Sequence, residues 1–187
     1  MTALLAAVLA FGALVGCTST ETPGTPTTGA QTTSNQPTSD GSSSGLSIAK
    51  YVSAPCTILK PDQVATLGTV KPAAPGTDVL GPLCSWRGQV ATKNSSYTVS
   101  VTEDKDFDDM VSNIKSNPVF TDKKLDGVRT ITTDAVDGEL ACQSSVQVSK
   151  TDSVTVQVSA AADERATKKA CPEAERVAQL IITNLKG

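Results

Sequence analysis

Five cysteines and no histidine set the chemistry open to this 187-residue chain. A thiol can be bridged, can hold a soft metal or can act as a nucleophile, but the side chain that shuttles protons near neutral pH is missing. Ser-His-Asp and Cys-His hydrolysis are therefore not expected, nor are zinc enzymes of the HExxH kind. No GxxxxGK[ST] or GxGxxG stretch occurs, so a glycine-rich phosphate cradle has no basis. Sixteen Lys and Arg face nineteen Asp and Glu, a net charge of −3, with no basic block and no aromatic platform; nucleic acid is not expected as a partner.

Other side chains invite weighing. Asp104, Asp106 and Asp108 occupy alternate positions, as do the first ligands of a calcium loop. The rest of that pattern fails, because Asp109 stands where glycine makes the turn and Lys115 where a bidentate Glu is required. Helix capping and dipole complementarity account for these acids, and neither a metal nor a cofactor is expected. Asp62 with Glu103, or Asp134 with Glu139, are carboxylate pairs only by arithmetic, since sequence does not fix their separation. Trp86, Arg87, Tyr97 and Arg129 make up a candidate ligand surface of stacking rings and anion-holding guanidinium groups. Core packing is the commoner role for a tryptophan two residues from a cysteine, and solvation for isolated arginines.

The N-terminus reads as an address. Ala3 to Val15 form an apolar run of signal-peptide length, too short for a comfortable permanent span. It ends in Leu14-Val15-Gly16-Cys17, which resembles a bacterial lipobox, so residues 1–17 are expected to be a lipoprotein signal peptide and Cys17 the lipidated first residue of the mature chain. No Lys or Arg precedes the run, which points to a start codon further upstream. The two chains of a diacyl group, at about 0.8 kcal/mol per buried CH₂, anchor a protein stably without a transmembrane helix. In residues 18–45, 22 of 28 are Ser, Thr, Gly or Pro, a composition that cannot offset its conformational entropy, so a disordered tether is expected. Residues 46–187 read as one domain of 142 residues with 17 acids and 16 bases. The expected location is the outer face of the cytoplasmic membrane, with the membrane as a partner through the Cys17 lipid.

In an exported chain, the remaining four cysteines, Cys56, Cys84, Cys142 and Cys171, read as two disulfides, since no CxxC pair supports zinc. Three connectivities are open. Pairing Cys56 with Cys84 and Cys142 with Cys171 encloses two loops of nearly equal length and ties two helix starts to two strands. Pro61 and Asp62 open a short helix that Gly68 stops. A Pro- and Gly-rich loop then runs to Leu83. Tyr97, Val99 and Val101 alternate with Thr98, Ser100 and Thr102 as in a half-buried hairpin. From Asp106 to Lys115 the period becomes helical, with Phe107, Met110, Val111 and Ile114 on one face. Strand patterns return at Gly127 to Thr133, at Leu140 to Val148 and at Val154 to Val158. Pro172 opens a final amphipathic helix carrying Ala174, Val177, Ala178, Ile181 and Leu185. The expected fold is α+β, an antiparallel sheet packed against helices in the order α-β-β-α-β-β-β-α, with one polar face and one helix-covered face.

The lipobox, the Ser/Thr/Pro tether, Pro55-Cys56 before a short helix, Cys84-Ser85-Trp86 in the pattern Cys-x-Trp, and Cys142 followed by Cys171 at the last helix resemble a family of actinobacterial lipoproteins. That family carries a domain of unknown function, number 3558, and includes mycobacterial Lpr-type lipoproteins. The resemblance implies an exported, membrane-anchored, disulfide-containing α+β domain and brings no catalytic residues with it. The function expected is a non-enzymatic binding or accessory module of the cell envelope, with an envelope protein or a small apolar ligand as partner. The alternatives are a carrier of a lipid or other apolar molecule, which requires an enclosed cavity, and a cell-wall hydrolase using carboxylates or a Ser-Lys pair.

Overall fold

The computed structural model describes residues 45–187. The expected signal peptide and Cys17 lie outside the described residues, as does the expected tether apart from Gly45. Seven strands form one sheet: β1 (Ala74–Asp78), β2 (Gly81–Trp86), β3 (Ser96–Thr102), β4 (Val119–Leu125), β5 (Val128–Asp134), β6 (Ala141–Gln147) and β7 (Ser153–Ser159). Their order across the sheet is β1-β2-β3-β7-β6-β5-β4, and every neighbouring pair is antiparallel. Two meanders, β1 to β3 and β4 to β7, thus join along β3 and β7. The helices are α1 (Ala49–Val52), α2 (Pro61–Ala65), α3 (Phe107–Ser112) and α4 (Ala170–Lys186), with a 3-10 turn at Pro55–Thr57.

Alternation decides the faces. Tyr97, Val99 and Val101 of β3 sit opposite Val158, Val156 and Val154 of β7, and Cys142 and Val146 of β6 continue these rows. This face is covered by α4, whose Ala174, Val177, Ala178, Ile181 and Ile182 are fully buried along one side of a 17-residue helix. Leu46, Ile48, Tyr51, Ile58 and Leu59 from the N-terminal segments complete the same core. The layer between helix and sheet is filled with side chains.

The opposite face carries Thr98, Ser100 and Thr102 of β3, Ser153, Thr155 and Gln157 of β7, and Gln143 and Ser145 of β6. It is not wholly open. The helix α3 lays Phe107 and Val111, with Ile114 just after it, against Ile131 and Phe120, a second and smaller apolar cluster. Asp106 caps α3, its carboxylate accepting from the Asp108 (2.9 Å) and Asp109 (3.2 Å) amides.

The element order expected from sequence needs correction to α-α-β-β-β-α-β-β-β-β-α, because α1 and two strands escaped the pattern. Both strands are edges. In β1, Pro75 and Gly76 sit in a strand with no covered face, so no apolar alternation marks it. The β4 edge bears Asp122, Lys123 and Lys124, the charged dress that keeps an edge from pairing with other chains. Cys56 bonds to Cys84 and Cys142 to Cys171. The second bridge joins β6 to the start of α4, whereas the first holds the 3-10 turn, not the start of α2, against β2.

Candidate functional site

On the open face, Thr133 of β5, Gln143 of β6 and Gln157 of β7 fall in register across three neighbouring strands. Neighbouring strands are about 4.8 Å apart, so the three side chains form a polar floor with closely spaced donors and acceptors. Ile114 and Asn117, which follow α3, make the wall of a cleft of about 250 Å³ over this floor, lined also by Asp134, Ala141, Cys142, Val158 and Ser159. Asn117 donates to the Thr133 hydroxyl at 2.9 Å and Gln143 to the Ser145 hydroxyl at 3.3 Å. The Gln157 amide makes no side-chain hydrogen bond and is exposed to the cleft.

The loop from Asp134 to Leu140 joins two lining segments and is tied down throughout. One Asp134 oxygen accepts from the amides of Val136 (3.1 Å), Asp137 (3.0 Å) and Gly138 (2.9 Å), and an Asp137 oxygen accepts from the Glu139 amide at 2.9 Å. Burial alone would raise the Asp134 carboxyl, but these backbone donors outweigh it and hold the group below its ordinary value. The amides of Ala170 and Cys171 at the start of α4 donate to Glu139 and Gly138, and the Ala160 amide donates to Leu140. Lys169 pairs with Glu139 at 2.7 Å. Gly138 has φ +75, and a Cβ there would stand 2.7 Å from the Cys171 sulfur, so glycine is needed beside the bridge. Despite these restraints, Val136 is 71% and Leu140 53% exposed.

The residues singled out from sequence fall elsewhere. Trp86 and Tyr97, each 1% exposed, are cross-strand partners facing the α4 core, which corrects their place in a ligand surface. Arg129 belongs to the opposite face, fixed by Asp122 (2.9 Å) and Asp108 (2.6 Å) with its guanidinium over the Phe107 ring, so it is committed to structure. Arg87 is exposed beyond the end of β2. The four therefore form no common surface. Asp104 sits at φ 55, Asp106 caps α3 and Asp108 pairs with Arg129, which gives each of these acids a local task. Among the described residues no group of three or more His, Cys, Asp or Glu could hold a metal ion.

A second polar cluster is buried at the start of α4. The Tyr97 hydroxyl donates toward Glu173 (2.9 Å) and the Leu67 carbonyl (3.1 Å), and Arg176 holds Glu173 with two bonds of 2.8 and 2.7 Å. Lys168 reaches the same Leu67 carbonyl at 3.0 Å. Burial, followed by the nearby Glu173 charge, pushes the Tyr97 hydroxyl well above its ordinary range. Burial would also raise the Glu173 carboxyl, yet hydrogen bonds from Arg176 and Tyr97 overcome it and leave the group lowered. A lowered carboxyl stabilises the fold above its ordinary pKa of 4.5, and that contribution is lost as pH falls through the folded value. A raised tyrosine does the converse: its contribution is complete below pH 10 and declines above it. The Glu173→Gln variant should thus show a flatter fall of stability between pH 5 and pH 3 than the parent chain in urea titrations; parallel curves would deny Glu173 this role.

Sequence reasoning missed Asn117, Gln143 and Gln157, which no local pattern marks. Leu140 reads from sequence as a strand residue, whereas β6 begins one residue later and leaves it exposed.

Fold and site together define a two-layer α+β domain, stapled by two disulfides, with a pre-shaped polar cleft on the sheet face away from α4. The chain belongs to the family of proteins of unknown function DUF3558, whose model matches residues 12–184. No match is found among curated proteins or among solved structures.

Proposed function

We propose that this chain is a lipid-anchored, non-enzymatic binding module of the cell envelope, standing on the outer face of the cytoplasmic membrane. The observation that carries the reading is the cleft over Thr133, Gln143 and Gln157, in which hydrogen-bonding groups are preset while neither lining hydroxyl, Thr133 or Ser159, is hydrogen-bonded to the Asp134 carboxylate. Its only ionisable residue, Asp134, is held lowered and spends its oxygen on the loop, the opposite of a general acid. Against the carrier reading, Val99, Val146, Val154 and Val156 of the sheet and Val177, Ile181 and Ile182 of α4 are fully buried against each other, so among the described residues the layer between sheet and α4 is filled. Pairing of all four cysteines in the described domain supports an oxidising compartment. The lipobox supports the anchor, and no described helix is long and apolar enough to cross a membrane.

The Cys17→Ala variant should lose incorporation of labelled palmitate and move from the membrane to the soluble fraction; labelling that persists overturns the anchor. A photo-crosslinking residue at Gln157 in intact cells should give a discrete adduct that one at Lys124, on the outer edge of the sheet, does not. Adducts at both positions or at neither overturn the cleft as the binding site.

A further inference from the structure

We infer that the open face of the sheet holds an uncharged glycan strand, laid across β5, β6, β7, β3 and β2 with one end in the cleft. This deepens the binding-module reading and rests on it. The occupant's chemistry follows from the residues that strand register brings into one line.

Thr133 stands opposite Gln143, Gln143 opposite Gln157, Gln157 opposite Thr98 and Thr98 opposite Ser85. One polar side chain from each of five neighbouring strands thus forms a row at right angles to the strands, about 19 Å from end to end at about 4.8 Å per strand. Thr133, Gln143 and Gln157 are the cleft floor, and Thr98 and Ser85 carry the row beyond it. Ser96 and Ser159, opposite each other, widen the strip on one side. On the other side the next row, Ser100, Thr155 and Ser145, is buried, with Ser100 donating to Asp78 of β1 at 2.9 Å. Gln157 and Ser159 are exposed, and Ser85, Ser96, Thr98 and Gln143 are part-exposed, so a narrow strip is open to a ligand.

This strip is neutral. The strands β2, β3, β6 and β7 contain no Asp, Glu, Lys or Arg, where solvated surface ordinarily intersperses charges of both signs. The acid in the cleft lining, Asp134, spends its oxygen on three loop amides. A charged ligand would therefore give up hydration on the row and meet no counter-charge.

Donor and acceptor balance selects hydroxyl groups. Ser, Thr, Asn and Gln side chains each both donate and accept, and so does a sugar hydroxyl, which can pair with any member of the row in either sense. A carboxylate or phosphate only accepts and an ammonium only donates, so each would leave part of the row unpaired. A peptide N–H only donates and its carbonyl only accepts, and the side chains it turned to the row would meet no apolar or charged partner there. Ser85 and Thr98 are hydrogen-bonded to each other at 3.2 Å, Asn117 donates to Thr133 at 2.9 Å and Gln143 to Ser145 at 3.3 Å. These bonds orient the side chains and leave each with further capacity, while Gln157, in the middle of the row, makes no side-chain hydrogen bond.

The test uses the full chain in detergent micelles, fluorescently labelled, on an array of neutral oligosaccharides of increasing length, with uronic-acid oligosaccharides, phosphorylated sugars and capped peptides beside them. The expected result is a set of neutral oligosaccharides whose binding tightens with length and holds in high salt. The variant Gln157→Ala should bind that set about tenfold more weakly. The double variant Ser85→Ala, Thr98→Val removes both partners of one hydrogen bond beyond the cleft and keeps a β-branched residue in β3. It should bind the longer members about fivefold more weakly and the shortest as the parent does. The altered residues are exposed or part-exposed, so both variants should melt near the parent temperature, and should one unfold the other carries the test. No neutral set, a preference for acidic or phosphorylated sugars or for peptides, or unchanged binding by a folded variant would overturn the inference. In cells, the adduct from the photo-crosslinking residue at Gln157 should contain carbohydrate. An adduct of protein alone would sink the glycan assignment and leave the binding reading standing, whereas absence of any adduct would sink the binding reading itself.

Discussion

With all four bridged cysteines replaced by serine, the domain is expected to lose about 7 kcal/mol of stability. The two bridges close loops with sequence separations of 28 and 29 that do not overlap. In the chain-entropy description each restricts the unfolded chain by about 3.5 kcal/mol. Domains of this size are stable by only about 5–15 kcal/mol, so losing both removes from about half to all of the margin. Single-bridge variants should stay folded and melt about 10–15 °C lower. The two should differ in one respect. Loss of Cys142–Cys171 also frees the start of α4 from β6 and with it the Asp134–Leu140 loop, so that variant should lose cleft binding at temperatures where it remains folded. Circular dichroism melts of the variants measure the stability loss and crosslinking from Gln157 the loss at the cleft; unchanged midpoints would show that packing alone holds the fold.

The second large effect is expected at Trp86. It is among the largest fully buried side chains, paired across β2 and β3 with Tyr97 on the α4 side of the sheet. Trp86→Ala should cost about 3–5 kcal/mol, the loss of transferred area plus the cavity left behind. Trp86→Phe should cost less, because the ring still fills much of the site. The variant also separates the two roles that sequence leaves open. A residue of a ligand surface loses binding on truncation and leaves the melting temperature in place, whereas a core residue does the reverse. Trp86 is the only tryptophan in the chain, so its emission should be blue-shifted in the native state and should report the unfolding of the parent directly.

What was legible beforehand had one physical property in common. The strands β3, β6 and β7 and the helix α4 each bury one side, and one-sided burial imprints a period of two or 3.6 on the residues themselves. Asp106 could be read as a cap for the same reason, since its partners are two and three residues away. The strands that went unread, β1 and β4, are edges with at most a few buried side chains, and their hydrogen-bonding partners rather than their own residues make them strands. Trp86 and Arg129 show the limit from another side. Each was a reasonable ligand-facing residue until the register placed Trp86 under the helices and brought Asp122 and Asp108 to Arg129.

The features with a local cause were readable in the residues themselves: the lipobox-like stretch and the anchor expected from it, the elements with one buried face, the exclusion of histidine chemistry and the even set of cysteines behind the expected tether. Tertiary structure alone decided which cysteines join, which face each ring and guanidinium occupies, and that Asn117, Thr133, Gln143 and Gln157 share a cleft. Those four residues come from three separate strands and the turn after α3, and no local pattern relates them. Their meeting is fixed by the pairing of β5, β6 and β7, where a slip of one residue would turn every side chain of a strand to the other face.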